Sequence, residues 1–289
     1  MQIFVNGIIS GFTLSLLALS FAVVYLPTRV FFLALAGIYS IVPYIAWSAM
    51  QAGMSWYIAC LMSIVFGTCL SIFIEVINHG PLSERHASSG AHLISSLGIY
   101  VVLSQIAAII WGNEPKVLHG GVTDVFNLQG IIITHEQLAA LVSTISVLIV
   151  FSVWLWLTRI GLEFRALANN EIEFALRGYD VQAVRRIGFA VSGLLCSISS
   201  LLTAYDIGFD PHGGLSALLL AVVAVIIGGR PSFFGPVLGA LLLGIIRGEV
   251  TWFFSSRWEE AITFLLLAAF LFLRPQGLIG QRLRLEAQA

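Results

Sequence analysis

Charge is the first thing this sequence lacks. Charged residues fill 10% of its 289 positions, against about 25% in a soluble domain. Lysine is nearly missing, because Lys116 is the one basic residue of 14 that is not arginine. Hydrophobic residues reach 58%. No soluble core of this length hides that much apolar surface, so the solvent around most of the chain must be lipid. With a formal net charge of −1 and its arginines scattered between apolar runs, the chain has no basic groove for nucleic acid.

Other absences narrow the function. The three cysteines, Cys60, Cys69 and Cys196, lie inside apolar runs. They read as small buried hydrophobes, without the spacing of a disulfide framework or a metal set. His79, His86 and His92 share one loop, but intervals of seven and six match no metal-ligand pattern. No metal or cofactor is expected. The first charge is Arg29, so the start lacks the basic region of a secretory signal and reads as a first membrane helix. The Gly-rich stretch IGGRPSFFGP lacks the Gly-x-x-x-x-Gly-Lys-Ser/Thr phosphate loop. This chain is therefore not expected to bind ATP in the usual way. No nucleophile, base and acid group together, so no catalytic residue is assigned. The alternation of a membrane β-barrel is missing too.

What is present is a series of long apolar runs. A helix crossing a bilayer core of about 30 Å needs about 20 apolar residues. Candidate spans fall at 3–26, 30–50, 55–77, 92–111, 137–158, 187–207, 212–229, 233–254 and 258–273. Helices are expected, because in lipid each backbone polar group must be paired within its own segment. The expected fold is an all-α polytopic membrane helix bundle of about 8–10 transmembrane helices, in one permease domain over 1–289.

Nine spans place Arg29, Arg85, Arg159, Arg165, Arg177, Arg185, Arg186, Arg230, Arg274, Arg282 and Arg284 on one side, which is 11 of the 14 basic residues. The positive-inside rule makes that side the cytoplasm. The N-terminus is then outside and the C-terminus cytoplasmic. A Gly-rich external loop spans about 112–136. A cytoplasmic loop of about 159–186 carries nine charged residues in 28 positions.

Within that loop, NNEIEFALRGYD has helix punctuation. Asn170 is placed as an N-cap, with Glu173 in the capping-box position. Glu171 and Glu173 suit the first turn and Arg177 the last. Gly178 suits the residue after the cap. A two-turn helix is not stable alone in water. It must pack on something, and Phe174 and Leu176 are its apolar groups. A solvated connection and a docking helix for a cytoplasmic partner are both open on capping alone.

Three further groups are candidates. Arg247 and Glu249 sit inside the eighth span, and a membrane-embedded Arg costs at least ~2.5–3.5 kcal/mol near the centre. They read as pathway or gate residues, or as a snorkelling pair near the outer interface. Residues two apart do not face each other on a helix, so separate partners are expected. Asp206, Asp210 and His212 cluster at the outer end of the sixth span, as outer-mouth contacts or as ordinary loop residues. The pairs Gly7/Gly11 and Gly235/Gly239 indicate close helix packing.

A resemblance joins these pieces. The run GLEFRALANNEIEFALRGYD, through Gly161, Arg165, Ala166, Ala168, Asn169, Ala175 and Gly178, resembles the cytoplasmic loop of bacterial branched-chain amino acid ABC permeases. HGPLSERHASSGAHLISSLGIYVVLSQIAAIIWG (79–112), AVVAVIIGGRPSFFGPVLGALLLGIIRGE (221–249) and LFLRPQGLIG (271–280) are similar to other stretches of that family, in the same order. The short N-terminus resembles the smaller of its two paired permease subunits. The resemblance implies an importer working by alternating access. It implies that Asn170 to Gly178, including Glu171, Glu173, Phe174, Ala175 and Arg177, forms the coupling helix to an ATPase. The implied partners are two cytoplasmic ATP-binding subunits, a second permease subunit (sister or self) and a periplasmic solute-binding protein, in a bacterial inner membrane. The implied substrate is a branched-chain or other amino acid, with urea or a short amide as the alternative. One departure stands out. The family's Asn-Phe-Ala-His-Gly is replaced by LALAG, Leu33 to Gly37, which leaves Gly37 as the remaining pathway candidate there. A channel or secondary carrier would leave the capped loop without a role, and a membrane enzyme would turn over a substrate with no ATPase present, through Asp206, Asp210 and His212.

Overall fold

The computed structural model describes residues 2–85, 87–118, 125–128, 131–229, 233–253, 256–274 and 276–279. His86, Arg230, Arg282 and Arg284 lie outside the described residues. The helices are α1 (Gln2–Thr28), α2 (Leu35–Gln51), α3 (Trp56–Ile74), a π segment (Glu75–His79) and α4 (Gly80–Glu84). They continue as α5 (Ser89–Trp111), α6 (His135–Leu157), α7 (Arg159–Asn169), α8 (Glu171–Leu176) and α9 (Val181–Asp206). The chain then runs through α10 (Gly213–Gly228), α11 (Gly235–Phe253) and α12 (Glu259–Leu273). Between α5 and α6 the strands β1 (Val125–Leu128) and β2 (Ile131–Thr134) form an antiparallel hairpin that the apolar pattern did not announce.

Burial sorts the helices. In α1 and α9, 72% and 61% of the most apolar window is buried inside the protein, against 28%, 22% and 22% for the α3–α4 run, α5 and α6. The inner helices carry small residues, so their backbones approach closely. A Cβ added at Gly244 would meet the Cα of Gly11 at 2.5 Å, and one at Gly239 would meet the carbonyl oxygen of Ala224 at 2.0 Å. The Gly-x-x-x-Gly pairs thus mark the α1–α11 and α10–α11 crossings. Hydroxyls join the same surfaces. Ser20 donates to the Ser192 carbonyl at 2.7 Å, Ser71 to the Phe189 carbonyl at 2.7 Å and Ser199 to the Thr13 carbonyl at 3.2 Å.

Among the described residues, six helical runs are long and apolar enough to cross a membrane. The other three expected spans correspond to α2, α10 and α12, of 17, 16 and 15 residues. Two of them are short because they start inside the bundle. After α1 the chain turns at Arg29, whose φ is 56°, and runs through Val30 and Phe32, both buried, to the start of α2. There the Ala34 N–H donates to Ser96 Oγ at 2.8 Å. The Gly214 N–H, at the start of α10, donates to Ser40 Oγ on α2 at 3.1 Å. Side-chain hydroxyls supply the partners that these buried helix starts would otherwise lack.

The charged loop is more structured than expected. Thr158 caps α7, accepting from the Gly161 N–H at 3.0 Å. Asp180 caps α9, accepting from the N–H groups of Gln182 and Ala183 at 2.9 and 3.1 Å. That cap starts α9 at Val181, not near 187, and draws Arg185 and Arg186 out of the loop into the helix.

Candidate functional site

Following the chain from helix to helix, the N-terminus, the hairpin, the end of α9 and the start of α12 share one face of the bundle. A cavity of about 520 Å³ opens there between α1, α9, α11 and α12. Its apolar walls include Leu14, Leu17 and Leu220, and its polar groups include Asn6, Ser10, Thr203 and Asp206. Arg247 reaches it and is paired across to α12, Nη2 donating to Glu259 Oε2 at 2.5 Å. Thr251, one turn on from Arg247, donates to the other Glu259 oxygen at 2.5 Å. The embedded arginine has thus found a carboxylate on a neighbouring helix, as its burial demands.

The structure brings Arg247 and Asp206 to this one cavity. Glu249, two residues from Arg247, does not line it. Gly37 does not either: it packs against α5, where an added Cβ would meet the Leu103 side chain at 2.8 Å. Asp210 is turned to its own backbone, accepting from the N–H groups of His212 and Gly213 at 2.8 and 2.7 Å. It shapes the start of α10. The His212 carbonyl accepts from Tyr100 Oη at 3.4 Å. Glu259 was missed because it borders the last span. The usable signal was an unpaired arginine in the preceding span.

The opposite face carries α7 and α8. Asn170 caps α8, its Oδ1 accepting from the N–H groups of Ile172 and Glu173 at 3.1 and 3.2 Å. Glu173 pairs with Arg177 at 2.6 Å across one turn. Gly178 follows with φ 82°, the left-handed conformation that favours glycine. Phe174 is 4% exposed and stacks on Tyr179 with ring centroids 4.9 Å apart. It anchors α8 to the protein, so it is not a group offered outward. Ile172 and Leu176 are 74% and 82% exposed. Spaced four apart, they share one face of α8. Glu171, Ala175 and Arg177 are exposed beside them. A second cavity, of about 230 Å³, lies beside α8 between Glu163, Asn169, Glu173, Arg177 and Tyr179. The sequence offers Phe174 and Leu176 together as the packing groups of α8 and does not separate the buried one from the exposed one, because so short a helix has no periodicity to read.

A multi-pass helical membrane protein with a largely apolar cavity carrying a few polar groups on one face and a capped loop on the other has the make-up of a transport subunit. The family described as "Branched-chain amino acid transport system / permease component" matches residues 3–271, and the chain belongs to it. The chain is 25% identical to the high-affinity branched-chain amino acid transport system permease protein BraD of Pseudomonas aeruginosa, over 97% of this chain and 96% of that protein. It is 23% identical to the corresponding permease protein LivH of Escherichia coli K12, over 96% and 94%. A probable LivH of Methanocaldococcus jannaschii is 25% identical, over 95% and 91%. In fold, the chain is similar to a structure titled "PsaBC from Streptococcus pneumoniae in complex with Fab", with a TM-score of 0.54, 12% identity, and coverage of 96% of this chain and 93% of that one.

Proposed function

We propose that this chain is the transmembrane permease subunit of an ATP-driven ABC importer in a bacterial inner membrane, moving branched-chain or other amino acids. The observation that carries the reading is α8. It is capped at both ends, anchored by Phe174 alone and exposed on all its other side chains. A six-residue helix in water is not stable by itself. One that is held outward with Ile172 and Leu176 uncovered is built to be covered by a partner. In this reading ATP is bound by that partner.

The arginine bias makes the α8 face cytoplasmic and the cavity face external. A solute-binding protein then docks over the hairpin region and residues 208–214, and solute enters the cavity past Asp206 and Arg247. Two ATP-binding subunits, one against each of two permease subunits, push α8 when they close. The passage then opens inward, and hydrolysis resets it.

The test is purification of the tagged chain with its native neighbours expressed. ATP-binding subunits should co-purify in stoichiometric amount and be lost on Ile172→Ala/Leu176→Ala with membrane insertion normal. A chain that purifies alone and still moves solute in vesicles would replace this reading with a carrier.

A further inference from the structure

Where α3 leaves its regular path, it gathers polar side chains that the transport reading does not use. A π turn accommodates an extra residue and recurs at functional sites. The π segment turns Glu75 and His79 inward, both buried, while Val76 and Ile77 stay exposed. Arg185 of α9 meets it. Its Nε donates to Glu75 Oε1 at 3.1 Å, and its Nη2 lies 3.1 Å from the same oxygen. Its Nη1 donates to Ser83 Oγ at 2.6 Å. His79 continues the chain of contacts to α5, with its Nδ1 3.1 Å from Nδ1 of His92 and the two rings stacked at 5.4 Å. Ser95 of α5 donates to the Asn78 side chain. Polar bonds thus join α3, α5 and α9 at one level of the bundle.

Stability alone does not call for this arrangement. A buried ion pair replaced by apolar groups of similar volume is often no less stable, and its best-attested use is to fix register or act in a switch. An apolar contact lets helices slide, whereas a directional pair does not. Glu75 Oε2 and His79 Nε2 have no hydrogen-bond partner among the described residues. These atoms are available to a second arrangement of the same helices. Arg185 also stands five residues after the Asp180 cap of α9, and α8 ends just before that cap.

We propose that Glu75 and Arg185 are positioning residues that lock the register of α9 against α3. A displacement of α8 then moves α9, α3 and, through His79 and His92, α5 as one body. This rests on the reading that α8 meets an ATP-binding subunit.

The test uses the purified complex with its ATP-binding subunits, in a background with the three cysteines replaced. A single Ser10→Cys reports on the cavity through its rate of labelling by a membrane-impermeant maleimide. In the parent complex, ATP with vanadate should change that rate at least fivefold. In E75L/R185M the complex should assemble and hydrolyse ATP within twofold of the parent, while the labelling change falls below 1.5-fold. A full labelling change in that variant overturns the joint and leaves the importer reading standing. A parent complex with ATPase activity but no labelling change overturns both. If E75L/R185M does not assemble, Ser83→Ala decides, since it removes only the Nη1 bond. Unchanged ATPase with a labelling change halved or less supports the proposal, and parental labelling overturns it.

Discussion

Among the described residues two ion pairs join different helices, one at each end of the bundle, and they differ in their surroundings. The side chains of Arg185 and Glu75 are 5% and 1% exposed. Those of Arg247 and Glu259 are 23% and 22% exposed and border an open cavity. The chemistry is the same, but the dielectric is not. A fully desolvated pair cannot lose one partner without stranding a charge. A pair beside an open cavity can separate and let each charge be solvated. The first arrangement suits a joint that must hold, and the second a surface whose charges are free to separate.

The largest test of this contrast is Glu75→Ala. It leaves Arg185 buried without a counter-charge and should cost about 3–5 kcal/mol, read as a lower thermal midpoint in detergent. A midpoint shift no larger than that of Glu259→Ala would erase the contrast. Phe174→Ala comes next. Truncating a buried aromatic costs about 3–5 kcal/mol, here expected near the low end and confined to the α8 region, so hydrogen exchange at 171–179 should rise while the bundle stays protected. Asn170→Ala removes a cap worth about 1 kcal/mol and should raise exchange in the same segment less. Glu259→Gln should change the midpoint by no more than about 1 kcal/mol, yet lower the initial uptake rate at least tenfold. Leu176→Ala should have the smallest effect on stability, because the side chain is 82% exposed. It should still weaken retention of the ATP-binding subunits.

Much of the fold is legible from apolar run length, because lipid admits helices and little else. The nine expected spans correspond to helices in the structure, with ends displaced by a few residues. What run length does not convey is where a helix begins in depth. The starts of α2 and α10 lie inside the bundle because Ser96 and Ser40 supply their hydrogen bonds from other helices. No local pattern encodes that pairing. The same limit applies to the sites. The α8 caps are local, and Asn170 and Gly178 announce them. Glu75 with Arg185, and Arg247 with Glu259, are pairings across the fold, and each became visible only when the helices were assembled. Asp210 taught the reverse: beside Asp206 in sequence, it is spent on the backbone of the α10 start.

The central claim, that the α8 face is the cytoplasmic face and meets an ATP-binding subunit, is tested most directly by photocrosslinking in cells. A benzoyl-phenylalanine would be placed at Leu176, and in a separate variant at Trp252, which is 70% exposed on the cavity face. The account predicts an adduct with an ATP-binding subunit from position 176 and none from 252. An adduct with such a subunit from 252, or adducts from 176 only with periplasmic proteins, would contradict it.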